Sequence, residues 1–173
     1  MKNWFMLTVV GIDAPGIVAN LTDSLYHANC NLGEASMMRL GGNFTVMMMV
    51  NCNQSSEEIN QLLQPVCEKF NLRTHLEMIQ SHLHDHPIPD IQIRVSGADR
   101  AGIVSKVTQT LFDAGLDILD LDSAIAGTVE KPIYIMQIEG VAKNGFDMIN
   151  NAIQTLSNEG IDVHADPIET MIV

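Results

Sequence analysis

One eight-residue pattern occurs twice in this chain. Gly11-Ile12-Asp13-Ala14-Pro15-Gly16-Ile17-Val18 returns 86 residues later as Gly97-Ala98-Asp99-Arg100-Ala101-Gly102-Ile103-Val104. At the same offset Leu25 aligns with Leu111, Ala28 with Ala114, and Asn31-Leu32 with Asp117-Ile118. Further on, Leu72, His75 and Ile79 answer Ile161, His164 and Ile168, now 89 residues apart. That period is too long for a solenoid repeat and fits a duplicated small domain. The intervening segment carries Pro87 and Pro89 and no apolar periodicity, which marks a linker. The reading is a first domain over residues 1–80, a linker over 81–89 and a second domain over 90–173.

Each copy reads in the same order. Residues 4–10 are rich in β-formers and make a strand. Ile17, Val18, Leu21, Leu25 and Ala28 then recur on one helical face. Asp13, three residues before Gly16, is expected to cap that helix, because a carboxylate accepts the free N–H groups of a first turn. Residues 32–40 and 44–50 flank Gly41-Gly42-Asn43, a hairpin turn. Ser55-Ser56-Glu57-Glu58 reads as a capping box. The helix it opens has Ile59, Leu62, Leu63, Val66 and Phe70 inward, and Pro65 is expected to kink or split it. Residues 73–79 close the copy as a strand. The second copy follows suit: strand 91–96, helix 102–114, hairpin 117–126 and 133–138, helix 144–159 ended by Gly160, and strand 161–168. The order β-α-β-β-α-β, twice, is the ferredoxin-like arrangement. It is an α+β fold with two antiparallel four-stranded sheets, each with two helices on one face.

Charge narrows the function. The 173 residues carry 9 Lys+Arg against 21 Asp+Glu, net −12, and both halves share the deficit. A pI near 4.6 gives a negative field that repels phosphate backbones and anionic membranes, and no Lys/Arg cluster interrupts it. If this chain acts on transcription, a second protein must touch the DNA. No run approaches the roughly 18 apolar residues of a membrane span, and the N-terminus does not read as a signal peptide. Cys30, Cys52 and Cys67 are odd in number and far apart, which argues against a disulfide framework and for a reducing cytoplasm. They read as small buried hydrophobes.

These residues resemble the ACT domain family of small-molecule sensors, over nearly the whole chain and as two ACT-like units. The carrier is the loop between first strand and first helix, which in related tandem-ACT regulators often reads Asp-Arg-Pro-Gly-Ile. Asp13-Ala14-Pro15-Gly16-Ile17 lacks the Arg, and Asp99-Arg100-Ala101-Gly102-Ile103 lacks the Pro. Size and two-copy layout look most like the glycine cleavage system transcriptional repressor group. The resemblance implies a regulator without a DNA-binding domain, a small amino acid as effector (glycine first), a DNA-bound activator as partner and assembly into an oligomer. It also implies no catalytic activity and no metal or organic cofactor. A regulatory subunit of an amino-acid metabolic enzyme is the alternative the same fold would serve.

An amino acid presents a carboxylate and an ammonium together. A helix first turn supplies free N–H groups and partial positive charge for the carboxylate. Gly16 and Gly102 let a ligand approach the backbone. Asp13, Asp99, Asn31 or Asp117 could accept the ammonium. The expected ligand-binding residues are therefore Asp13, Ala14, Pro15, Gly16, Ile17, Asn31 and Leu32 in the first copy. In the second they are Asp99, Arg100, Ala101, Gly102, Ile103, Asp117 and Ile118. The plainer alternative is that both aspartates only cap helices.

Other clusters weigh less. His82-Leu83-His84-Asp85-His86 holds ligand chemistry for zinc or nickel, yet alternating residues on an extended linker do not converge on one ion, so a solvated linker is the reading. Met47-Met48-Met49 reads as strand core. Asp120 and Asp122 share a solvated strand face. There is no Gly-x-Ser-x-Gly, Walker loop, Gly-x-Gly-x-x-Gly or His-Glu-x-x-His pattern, which disfavours an enzyme.

Overall fold

A computed structural model describes residues 3–79, 87–98 and 101–168. The chain divides into two units, Met1–His84 and Asp85–Val173. The first unit runs β1 (Asn3–Ile12), α1 (Ile17–His27), β2 (Asn31–Leu40), β3 (Asn43–Cys52), α2 (Ser56–Phe70) and β4 (Arg73–Ile79). The second runs β5 (Ile91–Ala98), α3 (Ile103–Asp113), β6 (Leu116–Thr128), β7 (Lys131–Ala142), α4 (Phe146–Asn158) and β8 (Asp162–Pro167). The sheets are antiparallel, with strand orders β2-β3-β1-β4 and β6-β7-β5-β8. This is the ferredoxin-like βαββαβ arrangement, twice.

Alternation builds each core. In β1, Phe5, Leu7 and Val9 are fully buried while their neighbours turn to the other face. They pack with Ile17, Leu21 and Leu25 of α1, whereas Val18, expected on that face, is exposed because it follows Ile17 by only one residue, about 100° round the helix; Ile59, Leu63 and Val66 of α2 complete the layer. In the second unit Ile91, Ile93 and Val95 meet Ile103, Val107 and Leu111 of α3, and Ile149, Ile153 and Leu156 of α4. Burying each such side chain stabilises the fold by about 1.5–3 kcal/mol.

The capping box at α2 is present: Ser55 Oγ accepts from the Glu58 N–H at 3.3 Å, and Glu58 Oε2 accepts from the Ser55 N–H at 2.7 Å. The β2–β3 turn is made by Gly41 and Gly42, both at positive φ (56° and 77°), which suits a tight hairpin. Gly160, at φ 80°, follows the end of α4. Met48 and Met49 are buried, whereas Met47 is exposed.

Three further expectations are corrected. Asp13 does not cap α1; the cap position is Gly16, in the left-handed region at φ 88°, with no side-chain cap. The Asp13 carboxylate pairs instead with Arg39 of β2. Pro65 does not split α2, which is one helix from Ser56 to Phe70. A proline costs one backbone bond there, and the buried Ile59, Leu63 and Val66 hold the helix on both sides of it. Cys30 and Cys52 are not separate buried hydrophobes but a disulfide, with Cα atoms 4.6 Å apart. The reason is register. Near the turn Leu40 faces Asn43, but a one-residue bulge between Leu32 and Ala35 shifts the pairing, so that Asn31 faces Asn51. One position further, Cys30 meets Cys52. Cys67, in α2, keeps a half-buried thiol. Burial raises its pKa; the Thr74 side-chain hydrogen bond opposes this and the Glu68 charge adds to it.

Candidate functional site

The loop between β1 and α1 lines a cavity of about 190 Å³. Asp13 to Ala19 form one wall, and Met37 and Arg39 of β2 with Phe44 of β3 form the other. Local sequence explains the shape. The Asp13 N–H donates to the Gly42 carbonyl at 3.1 Å, tying the loop to the hairpin turn. Gly16 then turns the chain into α1 through positive φ, which an L side chain resists by about 1–2 kcal/mol. The first-turn amides of α1 have no side-chain cap, and the first turn carries no acidic residue. Arg39 Nε lies 3.1 Å from Asp13 Oδ2; the Arg side chain is mostly exposed and the Asp mostly covered. A guanidinium, a carboxylate and open helix amides thus meet at one small cavity.

Asn31 and Leu32 stand elsewhere. They line a wider groove of about 770 Å³ between the outer face of α1 and the start of β2, with Ala19, Thr22, Asp23, Tyr26 and Cys30. Ala19 borders both spaces. Within this unit the structure therefore does not bring the loop and the start of β2 into one cavity.

In the second unit Asp99 and Arg100 lie outside the described residues, as do His82, His84 and His86. Ala101, Gly102 and Ile103 line a cavity of about 310 Å³ with Lys106, Glu159 and Ile161. Gly102 repeats the left-handed cap at φ 89°. Lys106 is taken up by an ion pair with Glu159. The position matching Arg39 is Ile125, which faces Tyr134 as Arg39 faces Phe44. Asp117 pairs with Lys143 at 2.8 Å, and Ile118 packs against the core. Among the described residues the two units thus share the left-handed glycine that opens the helix and differ on the facing strand, Arg39 in one and Ile125 in the other.

Arg39 is the site residue that loop reading misses. Its signal is positional: it is the only Lys or Arg between Lys2 and Lys69, and it sits on the strand that follows α1. Among the described residues no group of three or more His, Cys, Asp or Glu is placed to hold a metal ion. No helix among them is long and apolar enough to cross a membrane. His75 and His164 are exposed on β4 and β8, near Glu77 and Asp162 respectively.

Comparison with known proteins adds five findings. A family model described as an ACT domain matches residues 3–77 and again 90–164. UPF0237 protein lin0537 of Listeria innocua is 31% identical over 75 residues, covering 42% of this chain and 84% of that protein. The glycine cleavage system transcriptional repressor of Escherichia coli is 24% identical over 117 residues, covering 65% of this chain and 60% of that protein. Among solved structures, a protein from Galdieria sulphuraria superposes with a TM-score of 0.79 at 22% identity, covering 98% of this chain and 100% of that one. A protein provisionally named a glycine cleavage system transcriptional repressor gives 0.70 at 17% identity, covering 98% and 99%. These two likenesses show the fold.

Proposed function

The chain belongs to the ACT domain family, and on that premise we propose that it is a regulatory protein that binds a small amino acid, glycine first. It works in the cytoplasm, as an oligomer, and acts on transcription through a protein partner that contacts DNA. The observation that carries this reading is the Asp13–Arg39 pair beside the open N-terminus of α1. A zwitterion replaces that pair rather than adding to it. Its carboxylate takes the Arg39 guanidinium and the first-turn amides of α1, and its ammonium takes Asp13. The cavity, about 190 Å³, falls below the roughly 300–1,000 Å³ of sites for larger ligands, which favours a small amino acid. The net charge of −12 supports indirect action at DNA. The repressor name of the Escherichia coli relative supports the regulatory role.

The second unit, with Ile125 in place of Arg39, binds such a ligand more weakly or not at all through its loop. Both domains, over residues 1–80 and 90–173, belong to the working protein. The test is a thermal-shift screen of the full chain against the amino acids. A selective rise with glycine or one other small amino acid is expected, and Arg39→Leu should remove it. A ligand binding only the folded state adds about 2.7 kcal/mol at 100 times its Kd. No rise with any amino acid would overturn the effector assignment. Co-purification tests the partner: a DNA-binding activator is expected, and a biosynthetic enzyme in its place would make the chain a regulatory subunit instead.

A further inference from the structure

The Cys30–Cys52 disulfide is not demanded by the fold. The second unit carries the same bulge, between Ile118 and Asp120, and the same register shift beyond it. At the position matching Cys30 and Cys52 it places Leu116 opposite Ala142, an apolar pair packed into the core. One copy closes this end of its edge strand with carbon and the other with sulfur. Both of these cysteines belong to the first unit, and the second has none.

The surroundings of the two sulfurs differ. Cys52 is fully buried at the end of β3. Cys30 is nearly so, yet it is among the residues that line the 770 Å³ groove beside α1, whereas Cys52 is not. Gln54 Oε1 stands 3.9 Å from Cys30 Sγ, within reach of a thiol S–H. A disulfide sulfur has no hydrogen to donate, so this acceptor is served at Cys30 only in the dithiol. The same Gln54 is positioned from its other end, its Nε2 donating to the Ala28 carbonyl at 2.7 Å. Beyond the bulge only Asn31 and Leu32 pair with β3, so the disulfide fastens a short, otherwise weakly held end of the exposed strand.

We propose that Cys30 and Cys52 form a reversible thiol–disulfide site, reduced by a low-molecular-weight thiol entering the groove, and that its state sets how firmly the start of β2 is held on β3. The first thiolate attacks Cys30 Sγ, breaking the Cys30–Cys52 bond and leaving a mixed disulfide on Cys30. Cys52 departs as the thiolate and takes a proton. A second thiol attacks the outer sulfur of the mixed disulfide, releasing Cys30, which is protonated in turn. In balance, two small thiols are oxidised to one small disulfide and the protein disulfide is reduced to two thiols. Oxidation by a small disulfide runs the same steps in reverse. Asp23 lines the groove, so a neutral monothiol is expected to react faster than an anionic monothiol such as glutathione.

The test uses the full chain and no ligand, so it is independent of the amino-acid reading. Thiols are counted by alkylation and mass spectrometry, and amide exchange is followed in both states. After treatment with oxidised glutathione one reactive thiol, Cys67, is expected; after dithiothreitol, three. Exchange over residues 30–35 should rise by at least about tenfold on reduction, while β7 stays unchanged. Cys30→Ser should exchange like the reduced protein and ignore dithiothreitol; because reduction of the natural chain gives the same comparison, a misfolded variant does not spare the proposal. Three thiols after oxidised glutathione would overturn it, and so would equal exchange over residues 30–35 in both states.

Discussion

Reduction of the Cys30–Cys52 bond should lower the stability of the first unit by an amount that can be worked out beforehand. The bond spans 22 positions in sequence. Closing a loop of that length removes denatured-chain entropy worth about 3 kcal/mol at 25 °C. In a domain of this size each kcal/mol moves the midpoint by about 4–8 °C, so the first unit should melt about 12–24 °C lower once reduced. The single tryptophan makes the assay specific. Trp4 lies in β1, half-buried, and the second unit has none. Its fluorescence reports the first unit alone, while far-ultraviolet circular dichroism sees both. With and without a non-thiol reductant, the tryptophan midpoint should fall, and a second dichroism transition should stay in place. A tryptophan midpoint that moves by less than about 3 °C would refute the loop-entropy reasoning, as would an equal fall in both transitions.

Four further outcomes are expected. Leu63→Ala empties a fully buried position in α2 and should cost about 2–5 kcal/mol, read by urea titration of Trp4 fluorescence. Ser55→Ala removes the oxygen that caps α2 and should cost about 1 kcal/mol in the same titration. Gly16→Val should abolish any amino-acid thermal shift while lowering stability by only about 1–2 kcal/mol, since the penalty is the left-handed backbone alone; an unchanged shift would remove the helix amides from the site. Cys67 should alkylate more slowly at pH 8 than an ordinary exposed thiol, and its rate should keep rising to higher pH, because burial holds the proton on and only the thiolate reacts.

What could be read beforehand followed from short-range rules. The duplicated octapeptide located both loops, because a strand-to-helix connection repeats its chemistry when the domain repeats. Ile17, Leu21 and Leu25 marked the buried face of α1 because helical period alone decides which side chains meet the sheet. Ser55 and Glu58 marked the start of α2, because a capping box closes within four residues. Two of the misreadings, Asp13 and the cysteines, involve partners set by register. Asp13 finds Arg39 only because β2 returns beside the loop, and no spacing rule separates a cap from an ion pair across 26 residues. The cysteine pair required both the turn at Gly41-Gly42 and a bulge that advances the strand by one residue. The hairpin alone would have set Cys30 opposite Asn53, one residue off. The metal reading of the histidine linker falls outside the described residues.

A bulge is slack, and β2 is a strand pinned at both ends with its slack between the pins. Sulfur holds one end at Cys30, and the Arg39–Asp13 pair holds the other. Strand side chains alternate faces, so a bulge that travels turns every residue it passes to the opposite side. Were it to run from Leu32 toward the hairpin, Met37 and Met38 would exchange faces and Arg39 would swing away from Asp13. The two pins therefore act like the nocks of a strung bow: each fixes where the spare length lies, and loosening one end is felt at the other through the string.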